Sequence, residues 1–200
     1  MSFAKQVSNT LQMENKKAKS KDYPYAQLFR DRIFHQRQQE NAVIKLERPS
    51  NLPRARSLGY KAKPGIIVAQ VKIRKGSGLH RRPARGRKPK RMGVKKLTRR
   101  SSRQAMAERK AGVKFANCEV LNSYWAGEDG ITSFYDVILI ERSNPAILSD
   151  PHFSWVFGNK HKRRAERGLT SSGKKSRGLK KGRGHEKNFP SMRAHDRTAK

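Results

Sequence analysis

The chain has 200 residues, of which 48 are Lys or Arg and 15 are Asp or Glu, so its formal net charge is +33. Because such a charge makes a compact chain repel itself, and only 34% of the residues are hydrophobic, we expect a small core with basic segments that become ordered against a polyanion. No run of 18 apolar residues could span a membrane, and the first ten residues lack the apolar stretch of a secretory signal. The single cysteine, Cys118, excludes an internal disulfide and a cysteine-based zinc site, so we expect a reduced, intracellular environment.

The charge is segregated along the chain. Residues 1–60 carry a net charge of +7, residues 61–114 carry +19, residues 115–159 carry −5 and residues 160–200 carry +12. A faintly acidic, apolar block therefore lies between two cationic segments. This pattern predicts N-terminal helices at residues 1–41 and an α/β core in two pieces, 42–75 and 101–159. A basic insertion at 76–100 separates the two pieces, and a basic extension at 160–200 follows them.

Two helices are predicted at the start of the chain. Phe3, Val7 and Leu11 recur every four residues, which is typical of a short amphipathic helix. After a lysine-rich break, Asp22 can cap a second helix, with Pro24 tolerated in its first turn.

Two strands are predicted before the basic insertion. Residues 43–48 alternate and end at Pro49, and residues 66–74 alternate more clearly. In the second strand Ala69 and Val71 lie on one face and Gln70 on the other, so we expect one face to meet a core and the other to meet solvent or a partner. Residues 76–100 show no hydrophobic period, so the insertion is predicted to be disordered by itself.

The second half of the core is predicted to be a helix followed by a hairpin. Ser101 or Ser102 can cap a helix over residues 102–111. Strands at 115–125 and 133–141 flank the turn signal Gly127–Gly130, and the four apolar residues 137–140 indicate a strand covered on both faces. The predicted fold class is α+β: a small antiparallel or mixed sheet of about four strands with the 102–111 helix on one face. The N-terminal helices or RNA would cover the other.

The basic segments suit the phosphates of a folded nucleic acid. Membrane binding requires apolar residues opposite the charges, and the segments have almost none. Reading of single strands requires aromatic platforms, and no Phe, Tyr or Trp occurs in residues 61–114 or 160–188. Arginine predominates between Leu79 and Gly93, and its planar fork favours bidentate phosphate contacts.

Possible catalytic or ligand motifs have simpler interpretations. Gly168–Lys175 resembles a phosphate-binding loop but has Lys175 where that loop needs Ser or Thr, so its glycines are better explained by close approach of RNA to the backbone. Glu128 and Asp129 fit a hairpin tip better than a catalytic pair, and the six histidines show no metal spacing. Cys118 fits the core, whereas Tyr124 and Trp125 fit either the core or an RNA-facing sheet edge. No enzymatic activity is expected.

Three strings resemble one protein family. They are Arg54-Ala55-Arg56-Ser57-Leu58-Gly59-Tyr60-Lys61-Ala62-Lys63, Val120-Leu121-Asn122-Ser123-Tyr124-Trp125 followed by Gly127-Glu128-Asp129, and residues 167–179, which read RGLTSSGKKSRGL. In this order they resemble signatures of the archaeal and eukaryotic L15e family of large-subunit ribosomal proteins, over roughly residues 40–180. The stretch at 87–94 is more similar to archaeal members.

The resemblance implies a cytoplasmic, structural constituent of the large ribosomal subunit, with its ribosomal RNA and neighbouring ribosomal proteins as partners and with neither a membrane nor a small-molecule substrate. No cofactor is expected, and any Mg²⁺ would be structural and shared with the RNA. The composition alone leaves a chromatin-type binder and a nucleic-acid enzyme as alternatives. The family-matching RNA-binding candidates are Arg54, Arg56, Lys61, Lys63, Lys174, Lys175 and Arg177. Charge density adds Arg74, Lys75, Arg81, Arg82, Arg85, Arg87, Lys88, Lys90, Arg91, Lys95, Lys96, Arg99, Arg100, Arg103, Lys160, Lys162, Arg163, Arg164, Arg167, Lys180, Lys181 and Arg183.

Overall fold

The computed structural model describes residues 2–78, 81–94, 97–99 and 101–179. Within them a four-stranded antiparallel sheet has the order β1-β2-β4-β3, so β2 and β4 are central. The strands are β1 (Val43–Leu46), β2 (Ile66–Arg74), β3 (Cys118–Glu128) and β4 (Thr132–Glu141). The helices are α1 (Phe3–Lys16), α2 (Tyr25–Gln38), α3 (Leu52–Ser57), α4 (Arg103–Lys114), α5 (Pro145–Leu148) and α6 (Ser171–Ser176). The predicted α+β class is confirmed, and the sheet is antiparallel rather than mixed.

One face of the sheet packs against α4. The Ser102 side chain caps this helix by accepting a hydrogen bond from the Ala105 N–H, as the sequence predicts. Ala107 and Ala111 are fully buried against a cluster that includes Val71 and Val137, because small side chains let the helix lie close to the strands. Residues 137–140 are fully buried, which confirms that β4 is covered on both faces.

The opposite face is covered by short elements of the chain itself. Helix α2 contributes Phe29 and Ile33 to a cluster with Phe134, α3 contributes Ala55 to a cluster with Ile138, and α5 with the turns after it covers Ile140. The expectation that the polar side of β2 meets solvent or a partner is therefore wrong for Gln70, which is buried, whereas Arg74 at the end of the strand is exposed.

Gln70, on the polar side of β2, is buried because a carboxylate pairs with it. Gln70 donates to Asp136 Oδ1 at 3.3 Å, and the Asp136 carboxylate also accepts from the Tyr124 hydroxyl at 2.7 Å and from Ser50. Tyr124 thus belongs to the core, whereas Trp125 keeps 39% of its surface exposed. Burial, reinforced by the charge of Asp136, raises the pKa of the Tyr124 hydroxyl.

Two local predictions need correction. Helix α2 begins after Pro24 without a side-chain cap, so Asp22 does not cap it. Helix α3 was not predicted, although Asn51 accepts from the Arg54 N–H and Pro53 lies in the first turn, which are both ordinary signals of a helix start.

The first part of the predicted C-terminal extension lies against the core. Ala165 joins the α4 cluster, and Thr170 and Leu179 are buried. The described residues of the basic insertion form one 3₁₀ turn, Pro89–Arg91, and are mostly exposed. No helix in the described part of the chain has the length and apolar character that a bilayer crossing requires. Residues 180–200 lie outside the described residues, and the predicted domain boundaries stay a prediction.

Candidate nucleic-acid interface

The basic insertion carries the densest group of exposed predicted cations. Residues 81–91 contain a run of seven cations, and all seven are exposed: Arg81, Arg82, Arg85, Arg87, Lys88, Lys90 and Arg91. None of the ion pairs found among the described residues involves any of them. At the base of the insertion, Arg99 Nε donates to the Gly76 carbonyl at 2.7 Å and so joins its two ends. The candidates Lys95, Lys96 and Arg100 lie outside the described residues.

The first family-like string divides into an exposed part and a paired part. Arg54 and Arg56 are exposed on α3, on either side of the buried Ala55. Lys63 Nζ lies 2.8 Å from Asp150 Oδ2, and Lys61 Nζ lies 3.6 Å from the same oxygen. The hydrogen bond from Lys63, assisted by the His152 N–H, lowers the pKa of Asp150 to about 2. Lys63 therefore holds α5 and its following turn in place, whereas the two arginines face outward.

The carboxylates at the hairpin tip are occupied by neighbouring groups. Glu128 lies 3.2 Å from Lys75 Nζ and 3.8 Å from an Arg103 guanidinium nitrogen, whereas Asp129 accepts from the backbone N–H groups of residues 131 and 132. Partial burial acts to raise the pKa of both carboxyls. Hydrogen bonds, from Lys75 and Ser133 to Glu128 and from the backbone to Asp129, outweigh it, so both pKa values are lowered. Both carboxylates therefore stabilise the hairpin turn.

Several predicted cations in residues 160–179 serve the fold. Arg164 donates to the carbonyls of residues 120 and 121 at 2.6 and 2.9 Å, and its guanidinium lies 5.0 Å from the Trp155 ring centre. Burial lowers the pKa of Arg164. Arg167 donates to the carbonyls of residues 160 and 162, and Arg177 donates to the Gly168 carbonyl. The exposed candidates in this segment are Lys160, Lys162, Arg163, Arg167 and Lys175.

Two glycines of the third family-like string touch each other. Gly168 has φ +68°, and a Cβ at Gly173 would lie 2.6 Å from the Gly168 Cα. These glycines therefore have an intramolecular reason to be small. Close approach of RNA at this loop stays a prediction. Lys180, Lys181 and Arg183, which follow it, lie outside the described residues.

A buried carboxylate that the sequence analysis missed holds this segment against the sheet. Glu108 on α4 is fully buried and accepts hydrogen bonds from the hydroxyls of Ser123, Thr170 and Ser172. Ser123 lies on β3, so the carboxylate joins α4, the sheet and the start of α6. The available signal was that Glu108 is the single acidic residue in residues 61–114.

Exposed cations on α4 were also missed. Arg109, Lys110 and Lys114 are exposed and follow helical spacing, a signal that was present in the sequence. Over the part of the chain that the structure covers, no group of three His, Cys, Asp or Glu side chains could hold a metal ion. His161 instead packs edge-on against Trp155, with ring centres 4.9 Å apart.

The chain is similar in sequence to known ribosomal proteins. The model of the Ribosomal L15 family, L15e, matches residues 8–195. The chain is 53% identical over 182 residues to a protein named large ribosomal subunit protein eL15 from the archaeon Methanocella arvoryzae. This match covers 90% of the chain and 92% of the archaeal protein.

Proposed function

Because the chain belongs to the L15e family of ribosomal proteins, cytoplasmic structural constituents of the large ribosomal subunit, we propose that it binds and stabilises folded ribosomal RNA through phosphate contacts. The basic insertion and the outward-facing arginines of α3 would supply most of these contacts. The exposed cations of residues 160–179 would add to them.

The observation that carries the proposal is the run of seven exposed cations in residues 81–91. Lys and Arg that neutralise phosphates release condensed counterions, which supplies affinity without reading sequence. Carboxylates of the chain already compensate part of the charge at Lys63, Lys75 and Arg103, so these three would contribute less than the run in the insertion.

Contact with backbones rather than with splayed bases follows from the residue types. The insertion has no Phe, Tyr or Trp side chain on which a base could stack. Arg81, Arg82, Arg85 and Arg87 each present a planar fork that can bind two phosphate oxygens. An insertion of this kind fits between phosphate backbones that converge in a folded RNA, and any Mg²⁺ there would be structural and shared with the RNA.

A nuclease or other nucleic-acid enzyme has no geometric support among the described residues. The one carboxylate pair that the sequence offered, Glu128 and Asp129, is engaged by Lys75, Arg103 and backbone N–H groups. We therefore propose a role without catalysis.

The proposal is tested by comparing two variants that lose the same number of positive charges, one in the insertion and one elsewhere in the chain. One variant replaces Arg81, Arg82, Arg85 and Arg87 by Gln, and a matched control replaces the exposed Lys5, Lys16, Lys19 and Lys21 by Gln. Binding of both to fragments of large-subunit ribosomal RNA is measured at about 150 mM salt. If each arginine neutralises one phosphate, the insertion variant loses about 10²–10³-fold in affinity, and the control loses only a few-fold.

Equal losses in the two variants would contradict the proposal, because they would show that only total charge matters. A third variant with Lys at the same four arginines separates charge from the planar fork. Competition by duplex DNA of the same length tests the chromatin-type alternative, which requires that DNA displace the RNA fragment as well as unlabelled RNA does.

A further inference from the structure

A groove between α4 and the β1–β2 edge of the sheet has an apolar floor and a cationic rim. We call it the α4 groove. The floor is formed by apolar side chains, those of Val43, Ile73, Met106 and Val113. The rim is formed by positively charged side chains, those of Arg74, Arg99, Arg109, Lys110 and Lys114. Ile73 is only 2% exposed, but Val113 is 67% exposed, so the floor opens toward solvent.

The charge of the rim is not compensated within the groove. Among the residues that the structure describes, no acidic side chain lines the groove, and no ion pair involves Arg74, Arg109, Lys110 or Lys114. Arg99 is held in place by its bond to the Gly76 carbonyl, and a guanidinium nitrogen lies 3.4 Å from Met106 Sδ. The cations therefore surround the apolar floor, and Arg99 is held in a fixed position on one side of it.

RNA fits this groove poorly. Phosphates would satisfy the rim but would leave Met106 and Val113 against a charged backbone, without apolar cover. An unstacked base would need an aromatic platform, and none of the described residues that line the groove is aromatic. An occupant that satisfies both parts must present carboxylates around an apolar side chain.

We propose that the α4 groove is a docking site for an acidic segment of a neighbouring protein. That segment would place a Leu or Ile side chain on Met106 and Val113 and pair its Asp or Glu residues with Arg109, Lys110 and the other rim cations. Apolar anchors in a pocket with a polar rim are the usual anatomy of a protein interface. Docking here does not require RNA to occupy the insertion, so the two functions can be tested separately.

The test uses two short synthetic peptides of equal length and net charge, one with Glu and Leu in alternating pairs and one with Ser in place of Leu. Their binding to the full chain is measured by fluorescence anisotropy at about 150 mM salt. The leucine peptide is expected to bind at least about 10-fold more tightly, because its Leu side chain is removed from water on Met106 and Val113.

Matched variants locate the binding site. Val113→Ser should abolish most of the preference for the leucine peptide, whereas Ile131→Ser, at a hairpin residue of similar exposure (64%), should leave it intact. Lys110→Glu should weaken binding of both peptides more than Lys5→Glu does, because both lysines are exposed but only Lys110 lies on the rim.

Three results would overturn the proposal. Equal binding of the two peptides would show that only charge attracts them, and an equal effect of Val113→Ser and Ile131→Ser would place the contact elsewhere. If Val113→Ser weakens binding to ribosomal RNA fragments and leaves peptide binding unchanged, the groove belongs to RNA. Failure of the peptide test with intact RNA binding would leave the proposed function standing.

Discussion

Replacing the buried Glu108 should destabilise the protein and release the segment that begins α6. The Glu108 carboxylate is fully buried and accepts hydrogen bonds from three buried hydroxyls, those of Ser123, Thr170 and Ser172. In Glu108→Ala all three hydroxyls lose this acceptor at once. The Thr170 hydroxyl is also the acceptor for the Gly173 N–H at the start of α6, so the change reaches that helix directly.

The expected magnitude follows from the three hydrogen bonds. Each bond to a charged group contributes about 1.5–3 kcal/mol, and these contributions do not add fully within one network. The variant also no longer bears the desolvation cost of the buried carboxylate, and this offsets part of the loss. We therefore expect Glu108→Ala to lower the free energy of unfolding by about 3–5 kcal/mol, a large part of the stability of a domain this size.

Urea unfolding followed by circular dichroism measures this loss, and amide hydrogen exchange over residues 170–179 measures the local release. Glu166→Ala is the matched control, since it removes the same charge from an exposed position and should change stability by less than about 0.5 kcal/mol. Glu108→Gln keeps one acceptor oxygen and should fall between the two. If Glu108→Ala and Glu166→Ala unfold at the same urea concentration, the carboxylate does not hold the segment and the reasoning is refuted.

Three further predictions concern pH, packing and thiol reactivity. The pKa of Asp150 is lowered to about 2 by Lys63, so its ion pair stabilises the fold fully above about pH 4, and this contribution should disappear as the pH falls toward 2. Acid titration of unfolding should show that loss in the wild type and not in Asp150→Asn, and the same profile in both would contradict it. Gly173→Ala should destabilise by about 1–3 kcal/mol because its Cβ would meet backbone, whereas Gly130→Ala, with open space around it, should change stability little; equal thermal midpoints would be evidence against the contact. Burial and the charges of nearby glutamates raise the pKa of Cys118 to about 11, so a thiol reagent at neutral pH should label it only after unfolding, and rapid labelling of the native chain would contradict its burial.

The central strands and α4 could be predicted because their signals are local. Alternation over residues 66–74 and the apolar run at 137–140 lie within single elements, and the Ser102 cap lies next to the helix that it starts. The burial of Gln70 on β2 could not be predicted, because its partner Asp136 lies 66 residues away. No local pattern reports such a partner.

The same limit applies to the candidate interface. The number and density of cations can be read from the chain, but the pairing of Lys63 with Asp150 spans 87 residues, and the contacts of Arg164 with the carbonyls of residues 120 and 121 span more than 40. Charge density therefore predicted RNA binding equally for the exposed run of the insertion and for Arg164, which the fold uses. Only the tertiary contacts separate a cation that faces outward from one that the fold already uses.

The salt dependence of RNA binding tests the central claim most directly. Affinity of the full chain for a large-subunit ribosomal RNA fragment is measured over a range of salt concentrations, and the logarithm of the association constant is plotted against that of the salt concentration. If about ten phosphates are neutralised, the slope should be near −9, at about −0.9 for each contact with a duplex. A flat response would show that counterion release does not drive binding and would contradict the claim.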